Sequence, residues 1–153
     1  MQSTQAQPLP AQTFEDQWEK PVALDESVNW LIVSLSMDAG DMVKQSLDTL
    51  ELRDLDAYQA VYLADISGMP SLISKLFAIP KMRDYSFRMA LAKDEEALEA
   101  LNLPVTDTEA VNIFRLQALD IVEQAAITDQ EALTNFIRDR LQSASDQAPE
   151  AAQ

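Results

Sequence analysis

"VNWLIVSLSMDAGDMVKQSL", residues 28–47, is the stretch from which the fold follows. Its first nine residues form a nearly continuous apolar run with β-branched and aromatic side chains. That pattern marks a strand covered on both faces, as in a central parallel sheet. Asp38 or Asp41 then caps a helix in which Val43, Leu47 and Leu50 fall on one face. The acidic "ELRDLDAY", residues 51–58, closes this helix before "QAVYLADI", residues 59–66, a second buried strand. Strand–helix–strand in about forty residues is a βαβ unit with a right-handed crossover.

Downstream, "SGMPSLISKLF" places Pro70 in the first turn of a second helix. Met69, Leu72, Ile73, Leu76 and Phe77 supply its apolar face, and Pro80 ends or bends it. Residues 85–92, "YSFRMALA", alternate in the manner of a strand. An acidic connection, residues 94–109, holds six carboxylates and no cation, with two possible helical turns in "EEALEALN". "VNIFRLQ" and "IVEQAAIT" form a hairpin joined at Ala118-Leu119-Asp120. Thr128 and Glu131 fit a capping box for a last helix with Leu133, Phe136, Ile137 and Leu141 as its buried stripe. Upstream, "FEDQWEKPVALDES", residues 14–27, reads as a short strand or hairpin around Lys20-Pro21. The order is β-α-β-α-β-β-α behind an N-terminal strand or hairpin, which makes a three-layer α/β/α sandwich with a mixed central sheet.

A chain of 153 residues with 47 % apolar composition supports one domain with a real core. That domain is expected over residues 14–142, between flexible tails at 1–13 and 143–153. The formal net charge of −15 repels phosphate backbones and anionic lipid, so neither nucleic acid nor membrane is an expected partner. It equally suits a salt-rich habitat, where counterions screen self-repulsion. The absence of Cys removes disulfides, thiol catalysis and thiolate metal sites, and the absence of His removes the commonest general base. Gly40 and Gly68 are the only glycines, so no phosphate-cradling loop exists and no cofactor is expected. No apolar run approaches the roughly 20 residues of a membrane helix. The polar start, "MQSTQAQPLPAQT", fits a mature exported chain with an added Met1 as well as a cytosolic protein.

The element order resembles the thioredoxin fold. "EDQWEKPVALDE" is similar to the opening hairpin of thioredoxin-like peroxidase and TlpA-type families, often D-x-x-G-K-x-x-x-L, with Glu19 in place of the usual Gly. "SMDAGDMVKQSL", "VYLADISGMPSLISKLFAIPKMRDY" and "RMAL" resemble a group of small bacterial proteins that are exported to the periplasm and lack the redox motif. Some of that group carry a flavin-dehydrogenase label, for which these residues give no physical reason. The resemblance implies a periplasmic location and covers roughly residues 14–141. Where thioredoxin-like proteins keep Cys-x-x-Cys, this chain has Asp38-Ala39-Gly40-Asp41. Where they keep a cis-proline before the strand facing that motif, it is read here as having Tyr85-Ser86-Phe87, with a trans bond before Ser86.

Three sets of residues are candidates for function. The first is an interaction edge made by Met37, Asp38, Gly40, Asp41, Asp65, Ser67, Met69, Tyr85 and Ser86. It lies at the carboxyl ends of the strands, where open α/β sheets take ligands. Within it Asp38, Asp41 and Asp65 could bind a divalent cation or small ligand, although acids at a helix start more simply cap it. The second is a basic patch of Lys75, Lys81, Arg83 and Arg88 inside residues 66–93, which hold five cations against one acid. Those charges also serve a plain pairing role with neighbouring acids. The third is the methionines Met37, Met42, Met69, Met82 and Met89, which fill the core or offer soft ligands. The reading is a redox-inactive interaction or accessory module rather than an enzyme, monomeric or weakly dimeric, with an unknown protein partner.

A chain without cysteine has no sulfur to exchange. The purified protein should therefore leave insulin disulfides intact in a turbidity assay with dithiothreitol, at the rate of the blank. Acceleration above that blank would overturn the redox-inactive reading.

Overall fold

The computed structural model describes residues 9–68, 70, 73–85, 87–105 and 107–142. A seven-stranded sheet runs through it, built from β1 (Gln12–Glu15), β2 (Pro21–Leu24), β3 (Trp30–Ser34), β4 (Ala60–Asp65), β5 (Ala90–Ala92), β6 (Val111–Gln117) and β7 (Asp120–Ile127). Their spatial order is β2-β1-β5-β4-β3-β6-β7, so β2 and β7 are the two edges. β3, β4 and β5 are parallel, while β6 runs antiparallel to β3 and β7 to β6. The helices are α1 (Met37–Thr49), α2 (Ile79–Met82), α3 (Glu95–Glu99) and α4 (Gln130–Ile137). This is the three-layer sandwich the sequence implies; β5 falls within the strand read over 85–92 and α3 within the helical turns read in "EEALEALN".

The period of two along β3 and β4 explains the layers. Trp30, Ile32, Tyr62 and Ala64 face a core completed by Val43 and Leu47 of α1 and Leu133 and Ile137 of α4. Leu31, Val33, Val61 and Leu63 face the other core, with Phe14, Val22, Leu101 and Phe114. Among the described residues this second layer is covered by short segments: α3 with Leu101, the chain around Leu103 and Val105, and Leu9 and Leu119. Gln130 and Thr134 of α4 meet Ser46 of α1 by hydrogen bonds of 2.6 and 2.8 Å, locking the two helices together.

Several local expectations shift. Ser36, not Asp38 or Asp41, caps α1: its Oγ accepts from Ala39 N at 3.1 Å. A hydroxyl one residue before the first helical position reaches the orphan N–H groups, whereas Asp38 already lies inside the first turn. Asp129 replaces Thr128 as the cap of the last helix, accepting from Ala132 N. The 85–92 stretch is strand only over Ala90–Ala92. The strand antiparallel to β3 is β6, and the residues just before it, 107–110, include no proline. Among the described residues no peptide bond is cis. Order begins before Phe14, because β1 starts at Gln12 and buried Leu9 donates its N–H to Leu119 O at 2.8 Å. The predicted C-terminal tail, like Met69, Leu72 and Ser86, lies outside the described residues.

The largest change concerns the second helix. A π-turn over Ser74–Ala78 leads into α2, with Pro80 in the first turn of α2. Pro80 has no N–H to give residue 76 and its ring would strike that carbonyl, so a wider turn just ahead of it relieves both. The apolar face expected to be buried is instead exposed at Ile73, Leu76 and Phe77.

The N-terminal hairpin carries its own clamp. Gln17 is fully buried; its Nε2 donates to Met82 O and Phe87 O, and its Oε1 accepts from Met89 N. These groups belong to a segment with no sheet partner, and each would cost about 1–3 kcal/mol if left unpaired. Asp16 Oδ1 accepts from Trp18 N and Lys20 N, closing the turn. Within that turn Glu19 has φ of 65°, the left-handed conformation that explains why related hairpins favour Gly there. Replacing Glu19 by Gly should raise stability by roughly 0.5–1 kcal/mol, after the added unfolded-state freedom of Gly is deducted. Calorimetry should show Tm higher by about 1–4 °C; an unchanged or lower Tm would refute the strain.

Candidate functional site

Because β3 and β4 are parallel neighbours, their carboxyl ends open at the same edge of the sheet. A pocket of about 130 Å³ sits there, between the start of α1 and the face of α2. Ser34 and Tyr62 lie at its base, Ser36, Met37, Gly40 and Asp41 along the α1 side, and Ala64, Asp65 and Ile66 at the end of β4. The opposite wall is Ala78, Lys81, Met82, Tyr85 and Met89.

Five of the nine residues assigned to the interaction edge thus line one pocket: Met37, Gly40, Asp41, Asp65 and Tyr85. Asp38 is exposed and Ser67 half-buried, and neither lines the pocket. Met69 and Ser86 are outside the described residues. Asp65 is partly committed, since its Oδ1 accepts from Ser67 N at 2.9 Å and Ser67 Oγ at 2.6 Å. Among the described residues no three carboxylates gather in a group that could hold a metal ion. Of the methionines, tertiary folding brings Met37, Met82 and Met89 to the pocket, while Met42 packs against the core.

The basic candidates divide. Arg83 Nε donates to Gln17 O at 2.6 Å. Arg88 lies 3.5 Å from buried Asp16 and 3.4 Å from Asp56, and also donates to Pro21 O. Both therefore tie the 82–89 segment to the hairpin and to the turn before β4. Lys81 lines the pocket, whereas Arg83 and Arg88 do not; the side chain of Lys75 is outside the described residues. Lys44, two turns into α1, holds its ammonium 5.1 Å from the Tyr85 ring and pairs with Asp48 at 2.6 Å, which raises its pKa. That contact steadies the Tyr85 wall against α1.

Sequence reasoning missed the pocket base. Ser34 Oγ and Tyr62 Oη are 2.8 Å apart on adjacent strands, both buried. The signal was a hydroxyl at the end of each apolar run or within it, facing the same core, since buried hydroxyls need partners. Burial pushes the Tyr62 hydroxyl above its ordinary 10.0, only partly offset by the bond to Ser34. The folded state therefore holds this proton more tightly than the unfolded chain. The associated stability is complete below pH 10 and is lost as pH rises beyond it. Denaturant unfolding between about pH 9 and pH 11 should show wild type losing up to about 1.4 kcal/mol per pH unit more than Tyr62→Phe. Parallel pH profiles for the two proteins would contradict this.

The chain matches no family model and no curated protein at significant similarity. Solved structures do match its fold. Peroxidoxin BcpB from Mycobacterium tuberculosis superposes with a TM-score of 0.56 at 8 % identity, over 90 % of this chain and 96 % of that one. A putative protein disulfide isomerase from Bacteroides thetaiotaomicron gives 0.54 at 13 % identity, covering 91 % of each chain. The thioredoxin domain of a thiol-disulfide oxidoreductase from Bacteroides vulgatus gives 0.50 at 18 %, over 89 % and 96 %. Identities this low speak to architecture alone. They show that the chain has a thioredoxin-like fold, built here without cysteine.

Proposed function

We propose that this protein is a redox-inactive, thioredoxin-fold accessory module of the periplasm, monomeric or weakly dimeric, that docks a protein partner on the edge beside the pocket. One observation carries the reading. Met37, Ile73, Leu76 and Phe77 are exposed by 76, 47, 57 and 67 %, on the start of α1 and on the turn leading into α2, the two elements that flank the pocket. A well-formed core elsewhere leaves no folding reason for four large apolar side chains to face water, and such surfaces mark contact sites. The partner suited to this edge presents an apolar stripe with basic residues toward the α1 side, because Asp38 and Asp41 follow Met37 on α1 and the whole chain carries a net charge of −15. The periplasmic location rests on the sequence resemblance. Cation binding through Asp38, Asp41 and Asp65 has less support, since Asp38 stands apart from the other two. No helix among the described residues is long and apolar enough to cross a membrane.

The test compares wild type with Leu76→Glu/Phe77→Glu in affinity capture from a periplasmic extract. Both positions are exposed, so Tm should move little, within the roughly ±0.5 kcal/mol typical of surface changes. A basic protein held by wild type and lost from the double variant is the expected result. The same proteins captured by both forms would remove this face from the function.

A further inference from the structure

We infer that the pocket between α1 and α2 is a binding site for a neutral molecule of about phenol size, with a compact apolar body and one hydrogen-bond acceptor that meets the Ser34 and Tyr62 hydroxyls. Of the docking side chains only Met37 borders this pocket; Leu76 and Phe77, the two changed in the docking test, do not line it, so the two tests fail independently.

The Ser34 and Tyr62 hydroxyls each carry one proton, and the 2.8 Å contact between them uses only one of the two. Among the described residues neither oxygen makes any other hydrogen bond, so one O–H is left facing the pocket without a protein acceptor. Ser34 and Tyr62 are only 3 and 2 % exposed. A donor buried that deeply is costly until something accepts from it. Above this floor the walls are largely apolar, formed by Ala64, Ile66, Met82, Met89 and the Tyr85 ring.

Size and charge narrow the ligand. The volume of about 130 Å³ is close to that of a cavity of about 150 Å³ that holds benzene. At the mouth, Asp41 and Asp65 outweigh Lys81, and the whole chain is strongly negative. Carboxylates and phosphates are therefore repelled, and a neutral acceptor is favoured. Gly40 keeps the floor open. A methyl group there would stand 3.5 Å from Tyr62 Oη and 3.7 Å from Ser34 Oγ, covering the pair at ordinary contact distance and without a clash.

The experiment is a ¹H–¹⁵N chemical-shift titration of the full chain with phenol, toluene and benzoate. Phenol should saturate shifts at residues 34, 40 and 62, with toluene at least tenfold weaker and benzoate showing no saturation. Ser34→Ala/Tyr62→Phe should bring phenol down to the affinity of toluene while leaving toluene unchanged. Gly40→Ala, which replaces a helical glycine by a better helix former, should raise Tm and weaken phenol at least tenfold. This second variant keeps the test decisive should the double variant fold poorly. The site is refuted by unsaturable phenol shifts, by benzoate binding as well as phenol, or by phenol affinity unchanged in Gly40→Ala.

Discussion

The side-chain amide of Gln17 is the contact on which the working edge depends. Residues 82–89 cross from α2 to β5 without a strand beside them, so their backbone groups have no ladder to join. One buried amide supplies two donors and one acceptor to that segment, and Arg83 returns a bond to Gln17 O. Without the clamp Met82, Tyr85 and Met89 would not be held as a wall, and the pocket would have only its α1 side. The amide is itself placed by the Asp16 turn, so a five-residue hairpin loop positions the wall of a pocket some 65–72 residues later in sequence.

Retention of the fold without its thiols follows from where its stability lies. The sheet and the packing of α1 on α4 use Val, Leu and Ile side chains, and none of that requires cysteine. The helix start at Ser36 is capped by a hydroxyl, so the junction that supports thiol chemistry in other thioredoxin-fold proteins stands here on hydrogen bonding alone. A fold is a scaffold on which sites are changed independently. Here the carboxyl ends of β3 and β4 carry a small, largely apolar cleft with two hydroxyls at its base.

What the sequence made legible was governed by periodicity. The buried runs at β3 and β4, the β6–β7 hairpin at Ala118-Leu119, and the stripe of α4 all follow from local patterns that tertiary contacts reinforce. Side-chain caps were less legible, because Ser36, Asp38 and Asp41 all satisfy the same composition rule and only backbone geometry at Ser36 separates them. Residues 73–77 misled for a physical reason: an apolar helical pattern predicts a buried face, but says nothing of whether the burying surface belongs to the same chain. Arg88 was likewise opaque, since its partners Asp16 and Asp56 both lie far upstream in sequence, on different elements. The pocket floor needed cross-strand register, which placed two unremarkable hydroxyls side by side.

The outer edge of β7 has a consequence for the molecule in bulk solution. Eight residues of strand border no further strand among those described, and no proline interrupts them. Such an edge is a template for pairing with another chain. Only Asp120 and Glu123 carry charge along it, and Arg115 and Arg140 already engage Glu123. Protection therefore falls mainly to the repulsion between whole molecules of like charge. That repulsion reaches about 10 Å at 0.1 M salt but only about 3 Å at 1 M. The colloidal limit of the protein in concentrated brine is thus set by this strand, while the core that folds it is indifferent to salt.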